Sequence, residues 1–119
     1  MTERDFKAKL RKYLKSHCYI QSMSSLATAG TPDLWLSGKT DLWIEVKHNE
    51  LTKGPIKPKL SALQLLWCDA RYAEGRNVMV ICGTSSKEGI IYQHGAWNSP
   101  SNERILFTDL IEQILEVVL

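Results

Sequence analysis

The chain has 119 residues, 44% of them apolar and 24% charged, which excludes a disordered or fibrous polymer and suits one globular domain with a real core. No apolar run approaches the roughly 20 residues of a bilayer-spanning helix, and Met1-Thr2-Glu3-Arg4-Asp5 does not read as a signal peptide, so no membrane partner is expected. The formal net charge of +2 is unevenly divided: residues 1–60 carry 11 Lys/Arg against 6 Asp/Glu and residues 61–119 carry 4 against 7, a split that suits a polyanion bound on one side.

Residues 3–16 are predicted as an amphipathic helix with Phe6, Leu10, Tyr13 and Leu14 inward, Thr2 as cap and Asp5 in the first turn. Arg4, Lys7, Lys9, Arg11, Lys12 and Lys15 cover much of the remainder, and Glu3, one turn before Phe6, edges the buried face. A strand over 19–23 follows, then a small polar loop over 24–31. Leu34-Trp35-Leu36 and Leu42 to Lys47 form a hairpin turning at Ser37-Gly38-Lys39-Thr40, and residues 49–59, with Pro55 and Pro58, form a loop.

Ser61 and Gln64 have capping-box spacing before a second helix, with Leu60 and Leu65 as a hydrophobic staple. Its buried stripe is expected at Leu63, Leu66, Trp67 and Ala70, and Gly75 is its stop. Strands are predicted at 77–82 and 88–93, a loop at 95–102, and a last helix from about Thr108 with Leu110, Ile111, Ile114, Leu115 and Val118 as a wide apolar stripe. Cys18, Cys68 and Cys82 lack metal-ligand spacing and read as buried thiols of a reducing, cytoplasmic compartment (host cytoplasm for a viral protein). The order is α-β-β-β-α-β with a β-α tail, an α/β sandwich around a mixed central sheet.

The residues that carry chemistry lie in the hairpin. Glu45 and Lys47 are two apart on one strand and share a face, and the hairpin turn brings Asp33 back beside Glu45. Two carboxylates and a lysine at one spot are the minimal kit for metal-assisted phosphodiester hydrolysis. Each piece has a plainer explanation: Glu-x-Lys is a common strand ion pair, and Pro-Asp is a common turn.

Gly30-Thr31-Pro32-Asp33, Glu45-Val46-Lys47 and the helix start Ser61-Ala62-Leu63-Gln64 together resemble the PD-(D/E)XK nuclease superfamily, and within it the small phage and bacterial VRR-NUC (virus-type replication-repair nuclease) domains. The resemblance covers roughly residues 3–83, so residues 1–119 are expected to form one nuclease domain whose core ends near 83 and whose C-terminal β-α extension runs from about 84. It implies a restriction-endonuclease-like core, Mg²⁺ (with Mn²⁺ able to substitute) held by Asp33, Glu45 and the Val46 backbone carbonyl, and Lys47 near the attacking water. It also implies site roles for Glu3, a possible further ligand, and Gln64. Both have local explanations, as a first-turn acid and as a capping-box residue.

The implied partner is branched or double-stranded DNA, cut by a structure-selective endonuclease of the phage Holliday-junction-resolvase type. Lys53, Lys57 and Lys59 are candidates for its phosphates. The alternatives are an exonuclease or nicking nuclease, or an inactive DNA-binding module. A homodimer is expected, from paired cutting and from the apolar C-terminal helix, which packing on its own sheet would equally explain.

Overall fold

The computed structural model describes residues 1–23 and 30–119, so most of the loop expected at 24–31 lies outside the described residues. Helix α1 spans Glu3–Leu14; strands β1 (Tyr19–Ser22), β2 (Leu34–Ser37) and β3 (Asp41–His48) follow, then helix α2 (Ala62–Ala73), β4 (Val78–Gly83), β5 (Glu88–Gln93), β6 (Ile105–Leu106) and helix α3 (Phe107–Val118). Among the described residues the strands form one six-stranded sheet in sequential order. All neighbours are antiparallel except β3 and β4. Those two are parallel and need the crossover that α2 supplies.

Local signals account for the helix starts. Thr2 and Asp5 form a reciprocal capping box on α1, and Ser61 and Gln64 form one on α2, each satisfying amides that a helix start leaves unpaired. Gly75, with φ of 86° just past α2, adopts the left-handed geometry that ends helices. Strand β6 is too short for any periodicity to announce it, and no strand was expected there.

The sheet is covered on both faces. On one, Phe6, Leu10 and Leu14 of α1 and Phe107, Leu110, Ile114 and Val118 of α3 pack with Leu34, Leu36, Leu42, Ile44, Val46, Met79 and Ile81. On the other, Cys68 of α2 packs with Val78, Val80, Cys82, Ile90, Tyr92, Trp97 and Ile56. All six residues of β4 are buried, as a strand flanked on every side requires.

Three expectations about apolar faces are corrected. Tyr13 is half-exposed rather than core, its ring edge-on to Phe107 at 5.2 Å. Helix α3 does not offer a surplus stripe, because its own sheet and α1 take up the apolar face, Ile111, Leu115 and Val117 included. In α2 the expected stripe is split: Leu63 and Leu66 face outward, 53% and 65% exposed, while Trp67 and Ala70 are half-buried, and Cys68, not expected there, is the buried residue. The helix is turned so that Gln64 and Cys68, one turn apart, meet the sheet.

The hairpin that carries the candidate site is held at its far end. Lys39 N–H donates to Val118 O (2.6 Å), and Thr40 Oγ1 donates to Val117 O (2.5 Å). A Cβ on Gly38 would lie 2.3 Å from Val118 O. Gly38→Ala must push the hairpin off α3, and a loss of ~1–3 kcal/mol is expected, read as a lower urea midpoint at unchanged slope.

Candidate active site

Hairpin register sets the site. Leu34 stands opposite Ile44 and Ser37 opposite Asp41; continued by one step this puts Asp33 opposite Glu45, and by two steps Pro32 opposite Val46. Strand β2 begins only at Leu34, so its ladder with β3 stops at Ile44 and does not reach residues 45–48. Asp33 fills the gap: Val46 N–H donates to its Oδ2 (2.8 Å). The N–H and C=O of one strand residue point the same way, so the Val46 carbonyl also faces the gap, where Pro32 has no N–H to offer it.

Glu45 is only 2% exposed. Burying a carboxylate is costly unless it is hydrogen-bonded, and two groups answer it. Gln64 Nε2 donates to its Oε2 (2.9 Å), and Lys47 Nζ lies 3.5 Å from the same oxygen. Gln64 also accepts through Oε1 from Lys47 Nζ (3.1 Å) and from its own cap's Ser61 N–H (2.9 Å). One amide thus closes the capping box and ties α2 to both Glu45 and Lys47.

Glu3, exposed on the first turn of α1, lines a cleft of about 300 Å³ together with Lys47, His48, Lys57 and Lys59. Lys53 is exposed and is not among the residues lining it. The loop carrying these lysines is pinned, since Ile56 and Ser101 exchange two backbone hydrogen bonds (2.8 and 3.0 Å) and Tyr92 Oη donates to Ile56 O (2.5 Å). His48 packs against the Phe6 ring at 6.2 Å. Trp35 and Trp43, both half-buried, stack 5.9 Å apart on the site's face of the sheet.

Sequence reasoning passed over Lys7. Its Nζ lies 3.5 Å from Asp33 Oδ1, reaching the site from α1. The only signal was its place one turn after Glu3, and nothing separated it from the solvated lysines around it.

This architecture is similar to a solved structure, that of Archaeoglobus fulgidus Hjc, a Holliday junction resolvase from an archaeal hyperthermophile, with a TM-score of 0.63 over 98% of this chain and 99% of that one. The fold is restriction-endonuclease-like. Sequence identity is 18%, so the likeness is one of fold. No protein-family model and no curated protein matches the chain.

Among the described residues no group of three or more His, Cys, Asp or Glu side chains could by itself hold a metal ion. Two carboxylates and an outward carbonyl fit a hard cation that keeps several waters, as Mg²⁺ does, better than one that needs a full protein cage. Electrostatics agree. Burial first, and the neighbouring Asp33 charge second, push the Glu45 carboxyl up to about 8, against the pull of Lys47. A dication between the two acids would relieve both effects. A larger hollow, about 610 Å³, lies between β5 and α3; Asp109, Glu112 and Glu116 line it, and it would repel a polyanion.

With divalent ions chelated, native Glu45 holds a proton over a range where the unfolded chain has released it. Stability must therefore fall as pH rises from about 4.5 to about 8, by up to a few kcal/mol at about 1.4 per pKa unit. Urea midpoints measured in EDTA across this window should decline in the wild type and stay nearly flat in Glu45→Gln.

Proposed function

We propose that the protein is a divalent-metal-dependent DNA endonuclease selective for branched DNA, in the manner of a Holliday-junction resolvase. The observation that carries this is the convergence of Asp33, Glu45, Lys47 and the Val46 carbonyl at the gap beside β2, in a fold shared with such a resolvase. Asp33 and Glu45 would hold Mg²⁺, or Mn²⁺ in its place. When bound, the ion supplies Lewis-acid stabilisation of the phosphate and a more acidic water. Lys47, oriented by Gln64, would stabilise negative charge on the attacking oxygen or on the phosphate. Glu3, which lines the same cleft as Lys47, would hold a water of the metal shell.

The surface around the gap supports a polyanion. Lys57 and Lys59 line a cleft with Lys47. Lys7 reaches Asp33 from α1, and Arg4, Arg11, Lys12 and Lys15 of that helix are exposed with no carboxylate paired to them among the described residues. These contacts would read backbone and shape rather than base sequence.

The protein would act as a homodimer, with α2 rather than α3 as the contact. Leu63, Leu66 and Tyr19 are each more than half exposed. They accompany an aromatic ladder, Tyr19–Trp35–Trp43–Trp67, with ring centres 5.4 to 5.9 Å apart. A second copy would cover this face and set two sites at a fixed separation.

A cleavage panel in Mg²⁺ and Mn²⁺, comparing four-way junctions, flaps, single strands and linear duplex, tests the activity. Junction cutting is expected to dominate. Asp33→Asn and Glu45→Gln should each lower it at least ~100-fold, and Lys47→Met should lower turnover far more than DNA affinity. Wild-type rates in Asp33→Asn would remove the site assignment.

Sedimentation at micromolar concentration tests the dimer. Leu63→Glu with Leu66→Glu should give a monomer with stability within ~0.5 kcal/mol of wild type, since both side chains are exposed in the single chain. A wild-type monomer would remove the dimer while leaving the nuclease reading in place.

A further inference from the structure

We propose that Lys7 couples metal binding to DNA binding: its ammonium holds the Asp33 carboxylate until a divalent ion arrives, and then moves to a DNA phosphate. The proposal rests on the nuclease reading above and adds a residue that the motif does not contain.

The geometry starts from the two oxygens of Asp33. Oδ2 accepts from Val46 N–H at 2.8 Å, the carboxyl also faces that of Glu45, and the oxygen without a backbone bond is Oδ1. Lys7 Nζ sits on that oxygen, 3.5 Å away. A Mg²⁺ ion needs its carboxylate oxygen at about 2.1 Å. An ammonium left in place would put both cations on one oxygen, where their repulsion opposes binding. The metal and Lys7 therefore compete for Oδ1.

Lys7 can give way without disturbing the fold. Its side chain is 33% exposed, and its stem is a flexible four-carbon chain with rotatable donors. The helix beneath is held independently by Phe6 and Leu10, both fully buried. Arg4 and Arg11, one turn to either side, are exposed and have no carboxylate partner among the described residues. An ammonium swinging outward joins this basic stripe, where a phosphate backbone would run. Glu3, one turn back, is the rival destination; a lysine captured there would add nothing to DNA binding.

Coupling of this kind is reciprocal. Without DNA, Lys7 weakens metal binding; with DNA present the phosphate draws Lys7 away and strengthens it. Metal likewise strengthens DNA binding.

The test compares wild type, Lys7→Met and Lys7→Arg. Binding of Mn²⁺ alone is titrated by electron paramagnetic resonance of the free ion. Binding of a labelled four-way junction is followed by anisotropy in EDTA and in Ca²⁺, at several salt concentrations. Lys7→Met is expected to bind Mn²⁺ about fivefold more tightly without DNA and to lose about fivefold in the factor by which Ca²⁺ strengthens junction binding. Its salt slope in Ca²⁺ should fall by about 0.9, one phosphate contact. Lys7→Arg should restore the slope. Unchanged or weaker Mn²⁺ binding by Lys7→Met at a wild-type melting temperature would overturn the competition and leave Lys7 a prop for Asp33. An unchanged salt slope would overturn the phosphate contact and favour capture by Glu3. Both failures leave junction cleavage by the wild type intact, whereas a wild type that neither binds Mn²⁺ nor cuts would overturn the nuclease reading and this inference together.

Discussion

A carboxylate buried in the third strand of the sheet is the constraint around which this molecule is arranged. Glu45 is 2% exposed, beside a second acid, and burial pushes its carboxyl up to about 8. Leaving such a group unpaired would cost more than a domain of this size can spare. Its two partners are Lys47, two residues on in the same strand, and Gln64, brought from α2, while Asp33, just before β2, sets a second charge beside it. The crossover must place the first turn of α2 over β3 for Gln64 to reach, and β2 must start late for Asp33 to enter. Glycine makes the first of these possible. A Cβ on Gly30 would lie 2.5 Å from the Leu63 carbonyl, so the chain entering the Asp33 turn passes directly against the first turn of α2.

The parts legible in the sequence are those whose causes are local. Thr2 and Asp5, Ser61 and Gln64, and the hairpin turn at 37–40 each carry their signal within a few residues, and the structure has both capping boxes and the hairpin. The grouping of Asp33, Glu45 and Lys47 followed from strand parity and one turn. What was not legible depended on choices made at a distance. Helix α2 has an apolar stripe at Leu63, Leu66, Trp67 and Ala70, yet Leu63 and Leu66 stay outside and the sheet meets Gln64 and Cys68, where the Gln64 amide bonds to both Glu45 and Lys47. Periodicity can identify an apolar face but cannot say that a polar side chain will outbid it. Lys7 was hidden for a related reason: in a row of helix lysines, only tertiary placement shows which one meets a carboxylate.

The charge split along the sequence becomes a division in space. Lys7 of α1 meets Asp33, and Lys57 and Lys59 of the loop after β3 line a cleft with Lys47, while Asp109, Glu112 and Glu116 line a hollow beside α3. A polyanion approaching this surface would be turned toward the gap and away from the hollow. The lysine loop is tied through Ile56 to the Ser101 segment and to Tyr92, so a stretch with two prolines presents its charges from a fixed frame.

The hydrogen bonds between the hairpin tip and the end of α3 give the protein an internal reporter. Amides at a two-stranded turn ordinarily exchange with solvent quickly, since little protects them. Here the Lys39 amide is bonded to Val118 O, in the last turn of α3. Its exchange rate therefore measures the undocking of α3 rather than the fraying of the turn. A slow Lys39 amide in deuterated solvent would mean that the hairpin carrying Asp33 and Glu45 and the last helix open as one unit.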